Sequence, residues 1–191
     1  TYSAPSGSGQ NAVFNTHAAK MITVTISAPL SAPTGLTAAA GDAQVALEWT
    51  AAAGATGYNV KRSTTSGSSY AVVATNVTAT GYTNIGLVNG TLYYYAVSAT
   101  NSTAESSNST QVSARPTSAT APTIIMGNSS TQMTLGWPVD HTGWLLQSQT
   151  NAFGQGLSTN WVTICGSDTN NQLSIPIVAT NGSVFLRLIH P

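Results

Sequence analysis

The chain has 191 residues, 41% of them hydrophobic and only 5% charged, and its five Lys and Arg balance five Asp and Glu to a formal net charge of zero. A globular domain is typically about a quarter charged, so this surface must be made of hydroxyls and amides, and near-zero net charge favours association. The cations Lys20, Lys61, Arg62, Arg115 and Arg187 are scattered, which argues against a nucleic-acid partner and against a polybasic membrane face. No apolar run reaches the roughly 18 residues of a membrane span, so no membrane insertion is expected.

Residues 1–30 read as an N-terminal extended arm. It opens on a Gly/Ser-rich stretch over 3–9 and then gives one strand-like run over 21–27. There Ile22, Val24 and Ile26 alternate with threonines at the period of a half-buried strand. A weaker strand candidate covers 12–15. With no initiator Met and no signal segment, Thr1 reads as a processed or trimmed start. Residues 33–116 contain seven short strand candidates, at 35–38, 45–49, 58–62, 70–74, 81–83, 92–100 and 111–114, with turn chemistry between them. That is the pattern of a Greek-key sandwich. A separator over 116–122 leads to six more, at 123–126, 133–137, 144–149, 161–165, 173–177 and 184–189.

The second set repeats the first. Gln44-Val-Ala-Leu-Glu-Trp49 is matched by Gln132-Met-Thr-Leu-Gly-Trp137, and Gly57-Tyr-Asn-Val60 by Gly143-Trp-Leu-Leu146. Asn89-Gly-Thr-Leu-Tyr-Tyr-Tyr-Ala-Val97 is matched by Asn181-Gly-Ser-Val-Phe-Leu-Arg-Leu-Ile189. This alignment sets Phe185 on Tyr93 and Arg187 on Tyr95, and assigns Trp137, Trp144 and Phe185 to a core. The first copy continues into a strand near 111–114, whereas the second has only His190 and Pro191 after Ile189. The expected fold is therefore all-β: two tandem immunoglobulin-like sandwiches at 33–116 and 121–191, the second lacking its last strand.

Pro33-Thr-Gly-Leu36, Leu47-Glu-Trp49, Gly57-Tyr-Asn-Val60 and the run from Leu87 to Ala99 resemble a bacterial fibronectin type III domain. The resemblance implies that Trp49 is the central core tryptophan and that Tyr93 is the tyrosine corner, its hydroxyl bonded back to the turn. Residues 121–191 resemble a C-terminal module of large secreted bacterial proteins, many of them polysaccharide-degrading. That likeness implies a non-catalytic tail domain, outside the cell or on its surface.

Catalytic chemistry finds little support in the residues. Asp42 sits in the turn before one strand, Glu48 on that strand and Glu105 in a distant loop, and among these and Asp140 and Asp168 no two share an obvious site for glycoside hydrolysis. Asp140-His141 is the one acid–imidazole neighbour pair, and it sits in a turn where Asp and Gly are expected for backbone reasons. Nothing has metal-ligand spacing, so no catalytic residue, metal or cofactor is expected. Cys165 is the single cysteine and reads as a small buried hydrophobe. Trp161, after the loop at 151–160, is the one tryptophan left over for contact with a carbohydrate; covering a sandwich edge is its competing role.

The preferred reading is a non-enzymatic extracellular structural protein whose subunits join head to tail. The strand of Met21, Ile22, Val24 and Ile26 would be donated to an acceptor edge at Val184, Phe185, Leu186, Leu188 and Ile189 of a second copy. The alternative is a non-catalytic spacer or tail of a secreted bacterial polysaccharide-degrading enzyme, with residues 1–30 the remnant of an upstream catalytic domain. Its partners would then be that domain and a polysaccharide.

Overall fold

The computed structural model describes residues 11–16, 20–25, 29–178 and 182–190. Two antiparallel strands come first, β1 (Asn11–Thr16) and β2 (Lys20–Thr25), with Phe14 opposite Ile22 and Ala12 opposite Val24. The weaker strand candidate at 12–15 is thus a strand as well, paired with the one expected over 21–27. Ile26 lies outside the described residues.

Seven strands follow: β3 (Thr34–Gly41), β4 (Gln44–Thr50), β5 (Gly57–Ser63), β6 (Ala71–Val77), β7 (Gly81–Ile85), β8 (Tyr93–Thr100) and β9 (Val112–Ala114). They form two sheets, ordered β3-β4-β7 and β6-β5-β8-β9. Strict alternation builds the interface between them: on β4, Val45, Leu47 and Trp49 are buried while their neighbours are exposed. Tyr58 on β5 meets Trp49 edge-on, with ring centroids 5.3 Å apart. Tyr93, Tyr95 and Val97 of β8 complete the opposite wall. The Tyr93 hydroxyl accepts the amide N–H of Val88 at 3.1 Å, which is the tyrosine corner.

The second sandwich repeats six of these strands: β10 (Ile125–Asn128), β11 (Gln132–Gly136), β12 (Leu145–Asn151), β13 (Val162–Thr163), β14 (Gln172–Pro176) and β15 (Ser183–Ile189). Its sheets are β10-β11-β14 and β13-β12-β15. Among the described residues no strand plays the part of β9, so β15 ends its sheet. The core is correspondingly thin. Leu135, Trp137 and Leu146 are its fully buried members, with Leu173, Leu186 and Leu188 packed partly against them. Full burial of one large aliphatic side chain stabilises by about 1.5–3 kcal/mol, so the second sandwich has far less to spend on order than the first.

Two core assignments need correction. Leu186 and Leu188 face the core, and a strand alternates with period two. Phe185 and Arg187 therefore point to the outer face, and the alignment of Phe185 with Tyr93 is one residue out of register. Cys165 is exposed rather than buried. The expected strand over 161–165 is only the two-residue β13, and Cys165 falls in the turn that follows, outside the alternation that would have turned it inward.

Candidate functional site

The richest polar constellation lies where the two sandwiches meet. The connecting residues 115–120 are gripped from both sides, and Thr117 and Ser118 are each only 6% exposed. From the first sandwich, Thr117 donates its N–H to Gly41 O at 3.3 Å, and Gly90 donates to Pro116 O at 2.7 Å. Asp42 sits in the β3–β4 turn. Its Oδ1 accepts from Asn89 Nδ2 at 2.6 Å and its Oδ2 accepts the N–H of Ala119 at 3.3 Å. Asn89 Oδ1 in turn holds the N–H of Ala43 at 2.8 Å. The Asn89 side chain and the Ala119 amide hold the Asp42 carboxyl below its usual range, with smaller help from His141 and His190.

From the second sandwich, a short 3-10 turn (Val139–His141) presents its groups to the same segment. Ser118 donates to Asp140 O at 2.9 Å, and Trp144 Nε1 donates to Ser118 O at 2.9 Å. The His141 ring is 2.7 Å from Asp140 Oδ1 through Nδ1 and 2.7 Å from Thr120 O through Nε2. His190 reaches Thr117 Oγ1 at 3.2 Å. The Trp144 ring stands between the two imidazoles, with centroids 5.4 Å from His141 and 5.3 Å from His190. Trp144 is thus buried as expected, but by the connecting segment and not by the sandwich core. Gly143 permits this approach: a Cβ there would lie 2.6 Å from Thr117 Cγ2, and its φ of +116° disfavours any side chain.

The residues singled out for assembly lie apart. Met21, Ile22 and Val24 belong to β2 and pair with β1. Val184, Phe185, Leu186, Leu188 and Ile189 belong to β15 and pair with β12. At the end of the second sandwich far from the junction, a groove of about 510 Å³ opens between the sheets, lined by Met133, Thr150, Ile175, Val178 and Val184. Trp161 is half-buried, and the Arg187 guanidinium lies 4.2 Å over its ring. Arg187 also donates Nε and Nη2 to Gln147 Oε1, at 2.9 and 2.7 Å. One face of the indole is therefore taken by a cation, where a sugar would have stacked. Among the described residues no group of three or more His, Cys, Asp or Glu is placed to hold a metal ion. Glu105 is engaged by Lys61 at 2.7 Å and by Ser98 at 2.5 Å, which hold its carboxyl below the usual range.

Reading the sequence missed the junction. Asp140-His141 was visible as a pair, but its partners Thr120 and Ser118 look like linker, and nothing local marks them as buried. Nor does any helix of the described residues have the length and apolarity to cross a membrane.

Two all-β sandwiches joined end to end, with their polar groups spent on the joint, define a modular β-sandwich protein of the immunoglobulin-like class. Residues 31–115 match the fibronectin type III domain family, and this segment is a fibronectin type III domain. It is similar to parts of much longer proteins. An amylopullulanase of Thermoanaerobacterium saccharolyticum is 42% identical over 67 residues, which are 35% of this chain and 5% of that protein. An amylopullulanase of Thermoanaerobacter thermohydrosulfuricus is 42% identical over 91 residues, 46% of this chain and 6% of that protein. The chain thus spans only about a twentieth of the length of these relatives. The crystal structure of a Fn3-like protein from Clostridium thermocellum is 44% identical, covering 45% of this chain and 92% of that one, at a TM-score of 0.42.

Proposed function

We propose that the chain is a non-catalytic spacer and tail segment of a bacterial polysaccharide-degrading enzyme that works outside the cell. The observation that carries this reading is the similarity of its fibronectin type III segment to short parts of amylopullulanases. It favours the second of the two readings drawn from the sequence over self-assembly. The buried junction adds a physical role. A hydrogen-bonded connection sets the direction in which one module leaves the other, which a Gly/Ser linker could not do. Such a spacer acts on its parent's substrate only by placing a catalytic domain. The test is reducing-end release from pullulan and amylose by the purified full chain, with sedimentation against insoluble starch in parallel. Neither polymer should be cleaved; release that persists through repurification would overturn the reading.

A second reading, assembly through strand donation, rests on β15. It ends its sheet among the described residues, and the apolar groove lies at its Val184 end. An edge of this kind invites a further strand. Sedimentation velocity over a range of concentrations separates the two: a monomer throughout supports the spacer, and multimers lost on removing residues 1–30 support donation.

A further inference from the structure

We propose that the junction is a proton-dependent latch, in which a doubly protonated His141 tightens the hold of the second sandwich on the connecting segment and its deprotonation loosens the fixed orientation of the two sandwiches. The geometry of His141 carries this. The residue is 4% exposed, and both ring nitrogens are 2.7 Å from oxygens. Thr120 O is a backbone carbonyl and can only accept. Asp140 Oδ1 belongs to a side chain that is 48% exposed, and an ionised carboxylate also only accepts. A neutral imidazole has a single N–H. It can satisfy one of these oxygens and must turn a lone pair on the other, at a distance that only a hydrogen bond makes favourable. Two donors are needed, so the latched state holds the imidazolium.

The groups around this cation are few. Asp140 faces it from its own turn. Asp42, in the β3–β4 turn of the first sandwich, feels the charge of both His141 and His190. His190 lies across the Trp144 ring and contacts Thr117 Oγ1. A hydroxyl can donate or accept, so that contact survives either state of His190. The two grips fall on successive residues: Asp42 takes the N–H of Ala119 and His141 gives to the C=O of Thr120. One sandwich therefore holds the segment by an anion and the other by a cation. Losing the His141 proton removes one of its two bonds and weakens the second sandwich's hold on the segment without touching either core, while the bonds of Ser118 to Asp140 O and of Trp144 to Ser118 O remain. This device stands on the junction's geometry and holds whichever parent protein carries the chain.

The test uses the full chain with spin labels on Cys165, which is exposed, and on a cysteine introduced by Ser68→Cys in an exposed loop of the first sandwich. Distances between the labels are recorded by pulsed electron resonance, while the 15N shifts of His141 are followed at the same pH values. The distance distribution should be narrow while both His141 nitrogens carry protons and should broaden as one proton is lost. His141→Gln should give the broad distribution at every pH, with the melting of the first sandwich unchanged. His190→Gln should keep the pH response. A neutral His141 throughout the narrow regime, or a width that ignores its proton loss, would overturn the latch. If His141→Gln does not fold, the wild-type 15N and distance data decide alone.

Discussion

The indole N–H of Trp144 donates to the carbonyl of Ser118 at 2.9 Å, a buried hydrogen bond between the second sandwich and the segment that leads into it. Replacing Trp144 by Phe keeps a ring in place but orphans a carbonyl that is shielded from water. An unsatisfied buried acceptor costs about 1–3 kcal/mol. The variant should lower the urea midpoint of the second sandwich by that amount and leave the first sandwich's transition in place, as read by tyrosine and tryptophan fluorescence. Equal shifts of both transitions would show that the two sandwiches unfold as one unit.

Gly143→Ala attacks the same joint sterically. The new Cβ would stand 2.6 Å from Thr117 Cγ2, at a φ of +116° that an L-residue rarely adopts. Thr117 is packed and cannot swing away freely, so the joint itself must move. Small-angle scattering should show a changed interdomain arrangement, with the β-sheet circular dichroism of the protein retained. An unaltered scattering curve would mean that the joint has slack which the packing of Thr117 does not suggest.

Acid should weaken the joint through Asp42. Its carboxyl titrates below the ordinary value of 3.8 because Asn89 and the Ala119 amide bind the ionised form. A carboxylate depressed on folding contributes stability that is complete above its unfolded value and disappears as pH falls through its folded one. As pH falls below about 3.8 the contribution starts to decline, and the charged grip on Ala119 is lost once pH passes the lower folded value. Glu105 behaves alike within the first sandwich, through Lys61 and Ser98. Thermal melts between pH 2 and 5 should show a declining midpoint, and Asp42→Asn should flatten part of that decline while Glu105→Gln flattens the rest.

At the alkaline end the reporter is Tyr95, fully buried in the first core and hydrogen-bonded to Asn84 at 3.2 Å. Burial pushes its phenol up to about 12. A raised phenol favours the protonated folded state, so its contribution is whole below the ordinary value near 10 and is lost as pH climbs toward 12. Absorbance at 295 nm should show Tyr95 ionising last and together with unfolding, and Tyr95→Phe should remove that final step.

How much of this was legible in the sequence depends on the kind of interaction. Trp49, Tyr58 and Tyr93 could be placed because alternation and turn chemistry are local signals, and each repeats within a few residues. Phe185 could not, because a strand read one residue out of register exchanges its two faces completely. Only the packing of Leu186 and Leu188 against the second core fixes the phase. Cys165 was misjudged for a related reason: the pairing of β13 with β12 stops after Thr163, and no property of residues 161–165 marks that stop. His141 is the hardest case. Its chemistry was visible beside Asp140, but its meaning depends on Thr120, 21 residues away in the connecting segment, which is brought to it only when that segment folds back on the second sandwich.

The exposed outer sheet of the second sandwich offers the last prediction. Arg187 stacks on Trp161 at 4.2 Å and fastens to Gln147, so one face of the indole is already occupied by a cation. A cation–π contact at an exposed site is worth about 0.5–1 kcal/mol. Trp161→Ala should therefore cost about that much, plus the apolar area it uncovers, and should leave retention on amylose or pullulan affinity gels unchanged. Arg187→Lys should cost much the same as Arg187→Ala, because an ammonium supplies neither the flat stacking surface nor the paired donors to Gln147. If Trp161→Ala instead abolishes retention while the melting temperature holds, the indole face opposite Arg187 is a carbohydrate site and the covering role fails.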